Sequence, residues 1–215
     1  MPFTTEQFFE VFARYNQAIF PWQIIAVLAG VLAVVLLWQD TRQATSGVLV
    51  VLAAMWLLNG IGYHWLHFAP INPVARLFAA AFVAQALLLI WAALDRPALR
   101  LTPGRGLVSI LGLACIGFAI LIYPALGWLA GHRYPAVPMF GVAPCPTTIF
   151  TVGVLLQGQW REVRWLLVIP GLWAAIGGSA SVLLGVPQDM ALVATLGLLV
   201  VVAWGHWRGW GDLAT

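Results

Sequence analysis

Residues 74–94 read VARLFAAAFVAQALLLIWAAL, an unbroken apolar run in which Arg76 is the single charged residue. An α-helix rises about 1.5 Å per residue, so a run of this length can cross the roughly 30 Å hydrocarbon core of a bilayer. The composition of the whole chain agrees, because 62% of its 215 residues are hydrophobic and 8% are charged. Soluble domains fall well outside these values. The sequence therefore predicts an integral membrane protein whose first partner is the lipid bilayer.

Six further apolar segments flank this run, with short connections between them. They lie at about 20–38, 46–67, 106–130, 144–159, 163–184 and 188–207. The connections are too short for a soluble domain, so any activity must reside in the helices or their loops. The prediction is an all-α membrane protein of seven transmembrane helices that forms a single domain over 1–215.

The N-terminal residues 1–19 predict an amphipathic helix that precedes the first span. Apolar side chains at Phe8, Phe12, Tyr15 and Ile19 alternate with charged ones, which is typical of a helix lying on the membrane surface. This end of the chain is polar and acidic, so no cleavable signal peptide is expected.

The arginines predict the orientation of the spans. If the N-terminus is outside, the inner loops hold seven of the ten basic residues and the outer segments hold three, which favours N-out, C-in. The seven are Arg42, Arg96, Arg100, Arg105, Arg161, Arg164 and Arg208; the three are Arg14, Arg76 and Arg133.

Several functional classes are excluded by what the sequence lacks. All ten basic residues are arginine, so a retinal Schiff base on lysine is excluded. The arginines are dispersed over the loops, which argues against nucleic-acid binding. The common phosphate-loop, metalloprotease, hydrolase and c-type haem motifs are absent from the sequence. These absences favour a binding or transport protein over an enzyme.

The fifth predicted span, 144–159, is the unusual one. Its 16 residues cover about 24 Å, less than the hydrocarbon core, and prolines block its extension towards the N-terminus. Either the bilayer thins locally, or the helix begins below the outer interface and the preceding loop dips inward to line a pocket. Cys145, Thr147 and Thr148 would then form the pocket floor beside the positive end of a helix dipole. The alternative interpretation is an inert proline-rich loop.

Other polar residues on the predicted outer face complete two candidate sites. Tyr134, Asn72 and Asn16 join the floor residues as possible ligand-binding groups. A second set, His64, His67, His132 and Cys145, has side chains suited to a metal ion or haem iron. Histidines three apart share one helical face, but such pairs also serve as hydrogen-bonded anchors at the membrane interface.

Three further features have structural interpretations. Asn59 and Gln85 lie within spans and are expected to hydrogen-bond across helices. The sixth span repeats small residues four apart, a pattern typical of close helix packing, as at Gly177 and Ser181. Asp189 follows Pro187 at the start of the last helix and is expected to complement its dipole.

Four segments of the chain resemble a family of bacterial integral membrane proteins of unknown function. They are PFTTEQFFEVFARYNQAIFPWQ (2–23), YHWLHFAPINP (63–73), GHRYPAVPMFGVAPCPTTIFT (131–151) and GVPQD (185–189). The resemblance covers nearly the whole chain. It implies a multi-pass protein of the bacterial inner (cytoplasmic) membrane and brings no activity, ligand or catalytic residue with it.

Three functional hypotheses follow from the sequence. The first is binding or transport of a small polar solute or metal ion through an outward-facing pocket at the start of the fifth helix. The second is a structural subunit that docks a membrane partner or a second copy through the sixth span. The third is a redox protein that uses the Cys145 thiol or a haem.

Overall fold

A computed structural model describes residues 2–209 of the chain. Two parts of the predicted domain lie outside this range: residue 1, which is also the first residue of the predicted surface helix, and residues 210–215. Within it, regular structure is helical apart from an isolated β-bridge between Leu101 and Gly158. The predicted all-α class is confirmed for the described residues.

Eight helices account for most of this range. They are α1 (Thr5–Ala18), α2 (Trp22–Leu37), α3 (Arg42–Phe68), α4 (Ala75–Asp95), α5 (Leu107–Leu129), α6 (Pro144–Leu155), α7 (Val168–Leu184) and α8 (Pro187–Trp207). A helical turn at Trp160–Val163 joins α6 to α7, and the first turn of α8, Pro187–Met190, is a 3-10 helix.

The seven segments predicted to span the membrane are all helical, but they differ in length. Four helices, α3, α4, α5 and α8, are long and apolar enough to cross a membrane. The pair α1 and α2, bent by 85° at their junction, makes a fifth if it is counted as one span. The helices α6 and α7 are shorter apolar helices. The fold is compatible with a membrane protein, while seven crossings and their orientation stay predictions.

The N-terminal helix α1 begins at a capping box. The side chain of Thr4 accepts a hydrogen bond from the backbone N-H of Gln7, and the Gln7 side chain accepts one from the backbone N-H of Thr4. Two backbone donors that the helix leaves unpaired are thereby satisfied. The apolar face of α1, including Phe8 and Phe12, is buried, and the helix contacts the C-terminal end of α3. Much of its amphipathic pattern thus reflects packing within the protein.

Helix α3 changes its winding in its C-terminal half. It starts at Arg42, earlier than the predicted 46, because the Thr41 side chain caps it by accepting from the Ala44 N-H at 3.1 Å. From Leu58 to Phe68 it is a π-helix. Each turn of a π-helix holds more residues than an α-turn, so positions three apart no longer share the face that α-helical spacing predicts.

Helix α6 is enclosed by the rest of the protein. It has 12 residues, about 18 Å of helix, and every one of them except Cys145 is buried. It contacts α3, α5, α7 and α8. The helix ends at Leu155, short of the predicted 159, and the Gln157 carbonyl beyond it accepts from the Thr102 N-H at 3.1 Å. A helix with so little exposed surface fits a position inside a bundle better than a position facing lipid.

Hydrogen bonds fix the loop and helix around α6. The Asn59 side-chain amide donates to the Gly141 carbonyl at 3.3 Å and to Thr147 Oγ1 at 3.3 Å. Trp56 Nε1 donates to Thr151 Oγ1 at 2.8 Å. The cross-helix role expected of Asn59 is thereby confirmed. Gln85 also acts across elements, because its amide donates to a carbonyl near α7.

Small residues in α7 bring it close to α8. A Cβ at Gly177 would lie 2.8 Å from a Leu192 methyl group, and one at Gly178 would lie 3.0 Å from Val193. Both glycines are buried. The packing interpretation of the small-residue pattern is confirmed, and the partner helix belongs to the same chain.

Candidate functional site

A cavity of about 270 Å³ lies between the N-terminal segment, the end of α3 and the starts of α6 and α8, with α7 along one side. Seven aromatic side chains line it: Phe3, Phe8, Phe12, Tyr63, Phe68, Phe78 and Trp173. Six other polar or ionisable residues also line it: His64, Asn72, Cys145, Ser179, Ser181 and Asp189. We call this space the aromatic cavity.

The aromatic wall is held in place by contacts between its own rings. Phe12 stacks on Tyr63 with ring centroids 4.7 Å apart, and Tyr63 stacks on Phe68 at 5.5 Å. On the other side, Phe78 meets Trp173 edge to face at 5.3 Å. Offset and edge-to-face pairs are the favourable arrangements of aromatic rings. The cavity is therefore bounded by mutually packed rings.

The mouth of the aromatic cavity opens at the protein surface beside α7. Pro2 and Ser179, which both line the cavity, are exposed, and Leu183 is 69% exposed. The polar residues His64 and Asp189 are buried, with exposures of 0% and 3%. The cavity thus has an accessible apolar entrance and a polar interior.

His64 is the lining residue that buries two nitrogens without hydrogen bonds to the described part of the chain. Within residues 2–209 neither of its ring nitrogens has a hydrogen-bond partner. Its ring is packed by aromatic neighbours, with centroids 4.9 Å from Trp173 and 4.7 Å from Phe82. A buried polar group without a partner costs about 1–3 kcal/mol. An imidazole that lines a cavity and lacks partners is suited to hydrogen-bond a ligand.

Asp189 lies at the first turn of α8 and also lines the aromatic cavity. Tyr123, from α5, donates its hydroxyl hydrogen bond to Asp189 Oδ1. In the described part of the chain the ion pairs are Arg14 with Glu10 and Arg96 with Glu162, so no basic side chain is paired with Asp189. Sequence analysis assigned this carboxylate to the helix dipole alone, whereas its burial and its place in the cavity wall also make it a site residue.

The predicted floor residues separate into two groups. Cys145 and Asn72 line the aromatic cavity, but Thr147 and Thr148 do not. Thr147 accepts from the Asn59 amide, and Thr148 donates to the Pro144 carbonyl at 2.9 Å. Both threonines are fully buried. Their hydroxyls therefore join α6 to the bundle and to itself, and do not face the cavity.

The other two predicted ligand-binding residues lie in or against the loop before α6. The Asn16 amide donates to the Pro135 carbonyl at 2.7 Å and to the Val137 carbonyl at 2.8 Å. Tyr134 is 54% exposed. Neither residue lines the aromatic cavity, and Asn16 instead ties α1 to this loop.

The histidines and Cys145 proposed as metal or haem ligands are not assembled into one site. Among residues 2–209, no group of three or more His, Cys, Asp or Glu side chains is placed to hold a metal ion. His67 Nδ1 is bonded to the Gly62 carbonyl at 2.8 Å, and His132 lies against Phe9 and 3.2 Å from Gln188 Nε2. Burial lowers the pKa of His132, which favours its neutral form. The metal and haem hypotheses stay predictions without a structural observation in their favour.

Sequence analysis identified His64, Asn72 and Cys145 but did not identify Asp189, Trp173 or the phenylalanines of α1 as residues of one site. The position of Trp173 could have indicated a site, because it lies near the middle of the predicted span 163–184 and tryptophans are typical of span ends. The N-terminal phenylalanines did not, since an apolar face on a terminal helix is equally typical of membrane contact.

Comparison with protein families places the chain in the family of unknown function DUF6064, whose model matches residues 5–208. This chain is therefore a member of that family, as the resemblance of its four segments implied. No curated protein and no solved structure matches the chain.

Proposed function

We propose that this protein is an integral membrane protein that binds a small amphiphilic molecule in the aromatic cavity. The observation that carries this proposal is the buried imidazole of His64, which lines the aromatic cavity and has no hydrogen-bond partner within residues 2–209. The apolar body of the ligand would lie against the rings, and its polar end would hydrogen-bond His64. Ligand sites in proteins commonly combine an apolar wall with a few placed polar groups.

The composition of the cavity wall supports an amphiphilic ligand over a polar one. The sequence predicted a small polar solute, on the assumption that hydroxyls and helix N-H groups formed the floor. Most of the lining is apolar, and a polar solute would lose hydration against it without recovering hydrogen bonds. A molecule that partitions into lipid loses less, and the exposed apolar residues at the mouth, such as Leu183, give it a lateral path from the bilayer.

We further propose the predicted topology, with seven crossings, N-out, in the bacterial inner membrane. Arginine side chains stack on tryptophan rings at predicted span ends, as Arg133 does on Trp128 at 4.3 Å and Arg96 on Trp91 at 4.5 Å. Amphipathic rings and snorkelling cations are typical of membrane interfaces.

The topology predicts a labelling pattern. In a cysteine-free background, an impermeant maleimide added to intact spheroplasts is expected to modify Glu10→Cys and to leave Arg105→Cys unmodified until the membrane is opened. Glu10 is exposed on α1 and Arg105 lies in the loop before α5, so both sites are accessible once the reagent reaches their side. Labelling of Arg105→Cys alone would reverse the proposed orientation.

Filling the aromatic cavity is expected to remove the bound molecule. Ala180 lines the cavity and is half-buried on α7, so Ala180→Phe places a ring in the ligand space. The purified proteins would be extracted with organic solvent, and co-purifying small molecules would be quantified by mass spectrometry. We expect a compound at near-stoichiometric amount in the wild type and a loss of at least about tenfold in Ala180→Phe.

Ala175→Phe is the matched control, because Ala175 lies on the same helix but is exposed and outside the cavity lining. It should retain the compound at the wild-type level. Equal amounts in all three proteins would mean that the compound is carried by the detergent micelle, and the proposed binding function would then be rejected.

A further inference from the structure

We propose that the ligand of the aromatic cavity is a lipophilic organic cation that also carries a hydrogen-bonding group for His64, with Asp189 as its counter-charge and the aromatic rings as its cage. This inference rests on the binding function proposed above and adds the chemical class of the ligand. Three observations support it: the burial of the carboxylate, the lack of a basic partner for it, and the composition of the wall.

The first observation is that Asp189 is 3% exposed yet lines the cavity. Removing an ionised carboxylate from water is expensive unless an opposite charge or several hydrogen bonds compensate. Tyr123 supplies a neutral donor to Oδ1. The N-terminal turns of α6 and α8, from which Cys145 and Asp189 line the cavity, add a positive dipole potential that favours the ionised form. These groups stabilise the carboxylate but leave its net charge uncompensated.

The second observation concerns the basic side chains of the protein. No arginine of residues 2–209 lines the aromatic cavity, and the chain has no lysine. Several arginines are engaged elsewhere: Arg14 with Glu10, Arg96 with Glu162 and Arg133 with Trp128. His64 lines the same space but forms no ion pair with Asp189 in the described structure. A cationic ligand would supply the charge that the protein does not.

The third observation is that seven aromatic rings line the cavity, among them Tyr63, Phe78 and Trp173, beside aliphatic residues of α7. The faces of aromatic rings attract cations, most strongly where water is excluded, and such cages bind quaternary ammonium groups. Aliphatic side chains would accept a neutral apolar ligand equally well. A buried carboxylate beside aromatic rings favours a cationic ligand over a neutral one.

The test compares two probes of the same shape, phenyltrimethylammonium and its uncharged isostere tert-butylbenzene. Binding to wild type and to Asp189→Asn would be measured by equilibrium dialysis in the same detergent. Partition of each probe into micelles is the same for both proteins, so it cancels. Asparagine keeps the shape of the side chain and an oxygen for the Tyr123 hydroxyl, removes the charge and replaces the second oxygen with an NH2 group. Asp40→Asn removes a charge from an exposed carboxylate outside the cavity and serves as the control.

We expect Asp189→Asn to weaken phenyltrimethylammonium binding by at least about tenfold and to change tert-butylbenzene binding by less than about twofold. Asp40→Asn should change neither. If wild type binds both probes and Asp189→Asn weakens them equally or not at all, the cationic class is overturned while the binding function survives. If neither probe binds wild type, and Ala180→Phe purifies with the same small molecules as wild type, both proposals fail.

Discussion

Replacing Gly153 with alanine is expected to destabilise the protein by about 2–3 kcal/mol, because the added methyl group has no room where α6 crosses α5. A Cβ at Gly153 would lie 2.5 Å from the carbonyl oxygen of Gly112 and 3.0 Å from Cys115 Cβ. The obstacle is backbone, so rotation of a flexible side chain cannot relieve it. The two helices must separate, and the contacts along α6 weaken with them.

Gly117→Ala is the control for this substitution. Gly117 belongs to α5, and a Cβ there meets nothing within 4 Å. Alanine is the better helix former, so this variant should be neutral or more stable by up to about 1 kcal/mol. The midpoint of thermal denaturation in detergent would measure both variants. Equal midpoints for Gly153→Ala and wild type would show that the helices can separate at this crossing without cost.

Replacing His64 with phenylalanine is expected to abolish ligand binding and to stabilise the unliganded protein by about 1–2 kcal/mol. The imidazole buries two nitrogens that have no partner within residues 2–209, and its neighbours include Phe82 and Trp173. Phenylalanine would keep the aromatic contacts, extend into the cavity and remove the unpaired polar atoms. Opposite changes in binding and stability are typical of a residue kept for function at a cost to the fold.

His67→Phe is the matched comparison, three positions further along the same π-helical segment. His67 is bonded to the Gly62 carbonyl and is outside the aromatic cavity. Its replacement should lose that bond, lower the denaturation midpoint slightly and leave retention of the co-purifying compound unchanged. A destabilised His64→Phe would indicate that the imidazole supports the fold, and the central observation behind the proposed function would be lost.

The positions of the helices could be predicted because hydrophobic length is a local property of the sequence. The run at 74–94 corresponds to α4, Ala75–Asp95, within a residue at each end. Ends fixed by distant contacts were predicted less well. Helix α6 was expected to reach 159 but ends at Leu155, because the residues after it bond to the segment before α5. A single sequence does not reveal such a contact between segments that are distant along the chain.

Part of the candidate site departs from the prediction because the winding of α3 differs from that of an α-helix. The pairing of His64 with His67 assumed α-helical spacing, and the π-helical segment places His64 in the aromatic cavity and His67 against Gly62 and Tyr15. Thr147 and Thr148 were expected at the cavity because they follow Cys145. Their neighbours in the fold, Asn59 and the Pro144 carbonyl, engage them instead.

Asp189 was assigned too small a role because a carboxylate in the first turn of a helix has a sufficient local explanation. What distinguishes it is the approach of Tyr123 and Trp173 from other helices, and that depends on how the chain folds. A carboxylate in the first turn of an apolar helix that is a candidate membrane span is a stronger signal than capping alone suggests.

The enclosure of α6 also has a consequence for the order in which the protein is assembled during synthesis. Helix α6 contacts four others and has almost no outward surface, so its native surroundings are supplied by the rest of the protein. Two of those four helices, α7 and α8, follow it in the chain and are made later. Helix α6 can therefore acquire its full set of contacts only after α7 and α8 have been synthesised. Two helices that are synthesised after α6 thus complete the enclosure of a segment made before them.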